Sequence, residues 1–140
     1  MRLNPKHARS RVSWVRVPLA FAIAAAVVAL AGCGSSKPAY CTDRTNLQSS
    51  VKGLTSAGIS GVKTQIKQIQ SDATTVVNSA KSDFPNQTSA ITSSVNTLKT
   101  SLAGLSSSPS AAQIATVTGD AASVVSSVKN FVDASNSKCS

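Results

Sequence analysis

The sequence predicts an all-α domain, either an up-down antiparallel four-helix bundle or a long helical hairpin. Apolar residues after residue 40 recur every three or four positions, and no segment alternates like a half-buried strand. Runs of Gly, Ser and Pro interrupt the stripes and cut them into helix-sized pieces. A cysteine lies at each end of the region, Cys41 and Cys139. With 140 residues there is room for one such domain.

Leu47, Val51 and Leu54 make the first stripe, with Thr42 or Asp43 as the expected N-cap of a helix over 43–56. Residues 57–61 (AGISG) break it. Val62, Ile66, Ile69, Ala73, Val76 and Ala80 then follow a heptad pattern and predict a helix over 61–83. Pro85 ends that helix, because the residue before proline is pushed out of the α region. Phe84, Thr88, Ile91, Val95, Leu98, Leu102 and Leu105 predict the next, over 86–106. The last stripe is Ile114, Val117, Ala121, Val124, Val128 and Phe131, with Val125 and Val132 widening it. It predicts a helix over 109–135, with Ser108 as N-cap and Pro109 at the first helical position.

Four antiparallel helices bring the chain back to the end where it began, which places Cys139 near Cys41. In the hairpin form, the first two helices stack end to end and lie against the last two. The breaks at 58–61 and 106–109 are about equally far from the Phe84-Pro85 turn, so that form also brings the cysteines together. The compact bundle buries more surface and is the expected form.

The chain begins with a different kind of segment. Residues 1–16 are polar and basic, and residues 17–31 (VPLAFAIAAAVVALA) are uncharged and apolar. A basic stretch, an apolar stretch and a small-residue exit make a secretory signal peptide. A transmembrane helix needs about 20 apolar residues; this run has fifteen, one of them Pro18. Leu30-Ala31-Gly32-Cys33 resembles the lipobox of bacterial lipoproteins, a branched apolar residue and two small residues before a cysteine. The resemblance implies a thioether-linked diacylglyceryl group on Cys33 and cleavage between Gly32 and Cys33. Two or more acyl chains, at about 0.8 kcal/mol per buried CH₂, make a firm anchor. The expected organisation is a lipoprotein signal peptide over 1–32, a lipidated flexible tether over 33–40, and a helical domain over 41–140. The expected location is the extracytoplasmic face of the cell membrane.

Export would place the domain where disulfides persist. With Cys33 taken by lipid, Cys41 and Cys139 remain and can pair only with each other. In the chain-entropy model, closing a loop of about a hundred residues contributes up to about 4.7 kcal/mol. The stripes are rich in Val and Ala and the outer faces in Ser and Thr, all middling or small. One terminal disulfide is therefore expected to matter to the fold.

The net charge of +9 is misleading until it is located. Arg2, Lys6, Arg9, Arg11 and Arg16 precede the apolar run. From Cys33 onward nine Lys or Arg face five Asp, a balance of +4. Only Tyr40, Phe84 and Phe131 remain as aromatics. This is not the dense basic, stacking surface that nucleic acid requires, and no nucleic-acid partner is expected.

Nor is an enzyme expected. After Cys33 there is no His, Glu or Trp, and Arg44 is the sole Arg. A Ser-His-Asp or Cys-His arrangement cannot be assembled. Asp43, Asp72, Asp83, Asp120 and Asp133 are scattered, so no carboxylate pair, metal cluster or cofactor site is expected. Ser-x-x-Lys occurs at Ser49, Ser60, Ser126 and Ser135, but the partner motifs of penicillin-binding enzymes are absent. Asn86-Gln87-Thr88 matches a glycosylation sequon and reads as helix-start composition.

The segment Tyr40-Cys41-Thr42-Asp43-Arg44-Thr45-Asn46-Leu47, with the terminal Lys138-Cys139-Ser140, resembles small exported helical proteins of actinobacteria. The resemblance implies an exported helical protein and offers no catalytic residues to carry over. The expected role is a structural or interaction module that meets an envelope protein, a wall polymer or its own copies. The alternative is a carrier of a lipid or other apolar ligand between helices, in space left by Ala73, Ala80 and Ala121.

Overall fold

A computed structural model describes residues 36–140, so the expected signal peptide, lipobox and Cys33 lie outside the described residues. Four helices follow in order: α1 (Tyr40–Val51), α2 (Ile59–Ala80), α3 (Pro85–Ala103) and α4 (Ala111–Cys139). There is no strand among the described residues.

Side-chain bonds across the seams fix the topology. Ser50 donates to Asp72, and Ser79 to Asp43 (2.6 Å), which sets α1 antiparallel to the C-terminal half of α2. Ser101 donates to Asp120, which registers α3 against α4 in the same sense. Arg44 bonds to Val132 and Ser135, and Cys41 is joined to Cys139, so α1 also lies against the last turns of α4. The result is an up-down antiparallel four-helix bundle closed by one terminal disulfide. The hairpin form is excluded because α1 lies alongside α2 rather than stacked on its end.

The predicted stripes are the core. Val62, Ile66, Ile69, Ala73, Val76 and Ala80 are all buried on α2. Thr88, Ile91, Val95, Leu98 and Leu102 are buried on α3, and Val117, Ala121, Val124, Val128 and Phe131 on α4. Leu47, Leu54, Ile69, Ile91, Leu98 and Phe131 are the largest fully enclosed side chains. Each stabilises the fold by about 1.5–3 kcal/mol through the apolar surface it removes from water.

The helix ends differ from the sequence expectation in informative ways. α1 starts at Tyr40, without a side-chain cap, because Thr42 and Asp43 are already inside its first turn. Asp43 accepts from Ser79 instead of capping. α1 stops at Val51 rather than near residue 56. From there the chain runs in turns along the N-terminal half of α2, and Leu54 still reaches the core. Gly53 packs so closely there that a Cβ would meet the Gln65 amide at 3.1 Å. A fourth helix therefore lines one half of the bundle and an irregular segment lines the other.

α3 begins at Pro85 as expected of proline in a first turn. The start of α4 is corrected: the N-cap is Ser110, not Ser108. Ser110 Oγ accepts from the Gln113 backbone N–H (3.2 Å), and Gln113 Oε1 accepts from the Ser110 N–H (3.0 Å). This capping box satisfies two otherwise orphaned donors and outweighs the Ser-Pro start. α4 also runs four residues past the expected end, to Cys139. Ile114, expected in the stripe, is 41% exposed.

Candidate functional site

Gly32 and Cys33, the expected cleavage and lipidation residues, lie outside the described residues. Their position in sequence nevertheless singles out the end of the bundle where the chain enters α1, called the tether end after the tether expected over 33–40. The last tether residues are not free of the domain: the Lys37 ammonium donates to the Cys139 carbonyl (3.0 Å). Tyr40, assigned to the tether by sequence, belongs to α1 and is 2% exposed. The next residue, Cys41, is bonded to Cys139 with the Cα atoms 5.5 Å apart, within the usual span for a disulfide.

Three aromatic rings fill the space beneath. Tyr40 meets Phe84 edge-on with centroids 5.5 Å apart, and Phe84 meets Phe131 in the same way at 5.6 Å. Tyr40 and Phe131 are 6.3 Å apart, again edge to face. Such pairs contribute about 0.5–1.5 kcal/mol beyond the area they bury. All three aromatics of the domain thus gather at the tether end, contributed by α1, the α2–α3 turn and α4.

The Tyr40 hydroxyl donates to Asp83 Oδ2 (3.1 Å). Burial raises the Tyr40 pKa above its ordinary value, and the hydrogen bond to Asp83 and the carboxylate's charge push it the same way. One turn further in, Arg44 donates to the Val132 carbonyl (3.1 Å) and to Ser135 Oγ (3.0 Å). Ser135 is fully buried and donates onward to Val132 O. A hydrogen bond, a disulfide and a guanidinium bridge therefore follow one another between the chain entry and the end of α4.

The acidic residues have a structural use that spacing did not reveal. Asp43, Asp72, Asp83 and Asp120 each accept a hydroxyl hydrogen bond from a neighbouring helix, while Asp133 pairs with Lys129 on its own helix. Among the described residues no three His, Cys, Asp or Glu side chains gather as a metal would require. The Ser-x-x-Lys pairs do not interact: Ser135 is engaged by Arg44, and none of the other three serines bonds its lysine among the described residues. In the sequon, the Thr88 hydroxyl is buried and donates to the Phe84 and Pro85 carbonyls.

Two open grooves follow the seams. One, of about 290 Å³, lies between α2 and α3 over Ala73, Val77 and Val95. The other, of about 380 Å³, lies between α1 and α4, with Val51, Val125, Val128 and Val132 as its floor. Lys52, Lys129 and Asp133 stand on its rim. Val125 and Val132, read from sequence as broadening the core stripe, form its half-buried side. No helix among the described residues is long and apolar enough to cross a membrane.

Comparison with family models, curated proteins and solved structures returns no match. The sequence carries hints of what spacing alone missed. Arg44 is the single Arg of the domain and lies three residues after Cys41. Ser135 sits on the buried face, four residues from both Phe131 and Cys139.

Proposed function

We propose that this chain is a lipid-anchored cell-envelope protein, a structural or interaction module held on the extracytoplasmic face of the membrane through Cys33. The observation that carries the reading is the pairing of Cys41 with Cys139. Of the three cysteines it leaves one, and that one ends the lipobox-like Leu30-Ala31-Gly32-Cys33. A disulfide that closes the whole domain also suits an oxidising compartment outside the cytoplasm. The absence of His and Glu after Cys33 favours a module that binds or spaces over one that catalyses.

Intact mass spectrometry of the protein extracted from its own membranes tests this. The expected mass starts at Cys33, carries acyl chains and is two hydrogens short for the disulfide. A mass retaining residues 1–32 without lipid would overturn the proposal. The valine-floored groove between α1 and α4 favours one second reading, a carrier of an apolar ligand. Under that reading the native mass would exceed the denatured mass by one discrete small molecule.

A further inference from the structure

The two ends of the bundle differ in charge, and only one of them is tied to the tether. Residues 53–62 and 103–119, which build the far end, contain no charged side chain. At the tether end, Lys37 precedes α1, Lys81 caps α2 and Lys138 lies in the last turn of α4. The disulfide, the bond from Tyr40 to Asp83 and the contact of Phe84 with Phe131 hold these three segments at one end. All three lysines are exposed. The acids nearby, Asp83 and Asp43, accept from Tyr40 and Ser79 and keep their negative charge, so with Arg44 this end carries four cations against two carboxylates; the one ion pair among the described residues is Lys129 with Asp133.

We propose that this lysine-bearing end is a docking face for anionic lipid headgroups, so that the bundle stands on the bilayer with its uncharged end outward. The proposal rests on lipidation of Cys33 and adds an orientation to it. Chain length makes the case. Lys37 is pinned to the Cys139 carbonyl, and it lies only four Cα–Cα steps after Cys33. Fully extended they reach about 14 Å, and any slack brings the end closer. The screening length at physiological salt is about 8 Å, so the exposed lysines at that end enter the field of an anionic surface. The far end, about 40 Å away along the 29-residue α4, does not.

The test uses the lipidated protein from its own membranes, with acylation of Cys33 first checked by mass. It is reconstituted into vesicles of phosphatidylcholine alone or mixed with phosphatidylglycerol, then exposed to a water-soluble amine-acetylating reagent. The expected result is labelling of Lys37, Lys81 and Lys138 about fivefold slower on the anionic vesicles, an effect lost at high salt. Lys63, Lys67 and Lys99 should react equally on both. The double variant Lys81→Ser/Lys138→Ser should reduce the protection of Lys37. Equal labelling of the three lysines on both vesicles would overturn the docking face while leaving the anchor intact. Protection spread over Lys63, Lys67 and Lys99 would also overturn it, because the bundle would then lie on its side. An unacylated Cys33 would remove the anchor itself.

Discussion

The tether end of the bundle and its far end are built from the same helices by different means. At the tether end a disulfide, three edge-to-face aromatic rings and a bridging guanidinium tie α1, α4 and the α2–α3 turn together. At the far end α1 is gone, a turn-rich segment stands in its place, and Ile114 is partly in solvent. The difference shows how a lean sequence distributes stability. Val and Ala bury little surface each, so the chain concentrates its large rings and its cross-link at the end expected to carry the anchor. The other end depends on Leu54 and the Ser110 capping box.

The comparison can be broken most directly at the disulfide. Cys41→Ser/Cys139→Ser, or reduction, should remove up to about 4.7 kcal/mol of stability. The melting temperature should fall by more than about 10 °C, measured by circular dichroism with and without reductant. An unchanged melt would mean that the rings and hydrogen bonds suffice and that the cross-link is incidental. The matching cut at the far end is Leu54→Ala, expected to cost about 2–3 kcal/mol by denaturant titration. Leu54 is 1% exposed although it lies outside any helix. A cost below about 1 kcal/mol would show that the segment over 52–58 is a loose cover and not part of the core.

Much of this architecture was legible in the sequence, and the illegible parts share a physical cause. The stripes on α2 and α3 follow from apolar spacing, since one buried face must repeat with the helix. Pro85 and the paired cysteines then fixed a turn and the meeting of the ends. Spacing fails where side chains compete for the same donors. Ser108-Pro109 and Ser110-x-x-Gln113 both read as helix starts, and only the second satisfies two backbone groups reciprocally. The end of α1 was missed because Leu54 continues the periodicity of Leu47 and Val51 although the backbone has left the helix. The bonds from hydroxyls to Asp were invisible because they depend on which helices are neighbours.

Within the tether end, the polar contacts sharpen the comparison at a smaller scale. Arg44→Gln should cost about 1–2 kcal/mol, because fully buried Ser135 loses the donor that its oxygen accepts from. Chemical denaturation of the oxidised protein would read it. A neutral result would place Arg44 among the surface residues and leave the disulfide as the main link between α1 and α4. Tyr40 supplies a pH signature. Its folded pKa lies above the unfolded value of about 10, through burial first and Asp83 second. The neutral phenol is therefore favoured by folding. Its contribution is complete below about pH 10 and is lost as the pH rises through the folded pKa. Melting temperature should fall more steeply above about pH 10 in the native chain than in Tyr40→Phe. Parallel alkaline profiles would mean that the hydroxyl titrates as freely in the fold as out of it.

The smallest expected effect tests whether the far end is open. Ile114 comes three residues before buried Val117 and has the spacing of a core residue, yet it is 41% exposed. At that exposure about three-fifths of the side chain is covered, and full burial of an isoleucine contributes about 1.5–3 kcal/mol. Ile114→Ser should therefore cost only about 1 kcal/mol in the purified domain. The variant keeps the Ser110 and Gln113 cap, so helix initiation is not disturbed. A loss of about 2 kcal/mol or more would mean that Ile114 is covered in solution. If that loss also grew with protein concentration, a second copy would be the cover, because association stabilises only the folded, assembled form. The two ends would then differ in what closes them, covalently within one chain at the tether and by assembly at the far side.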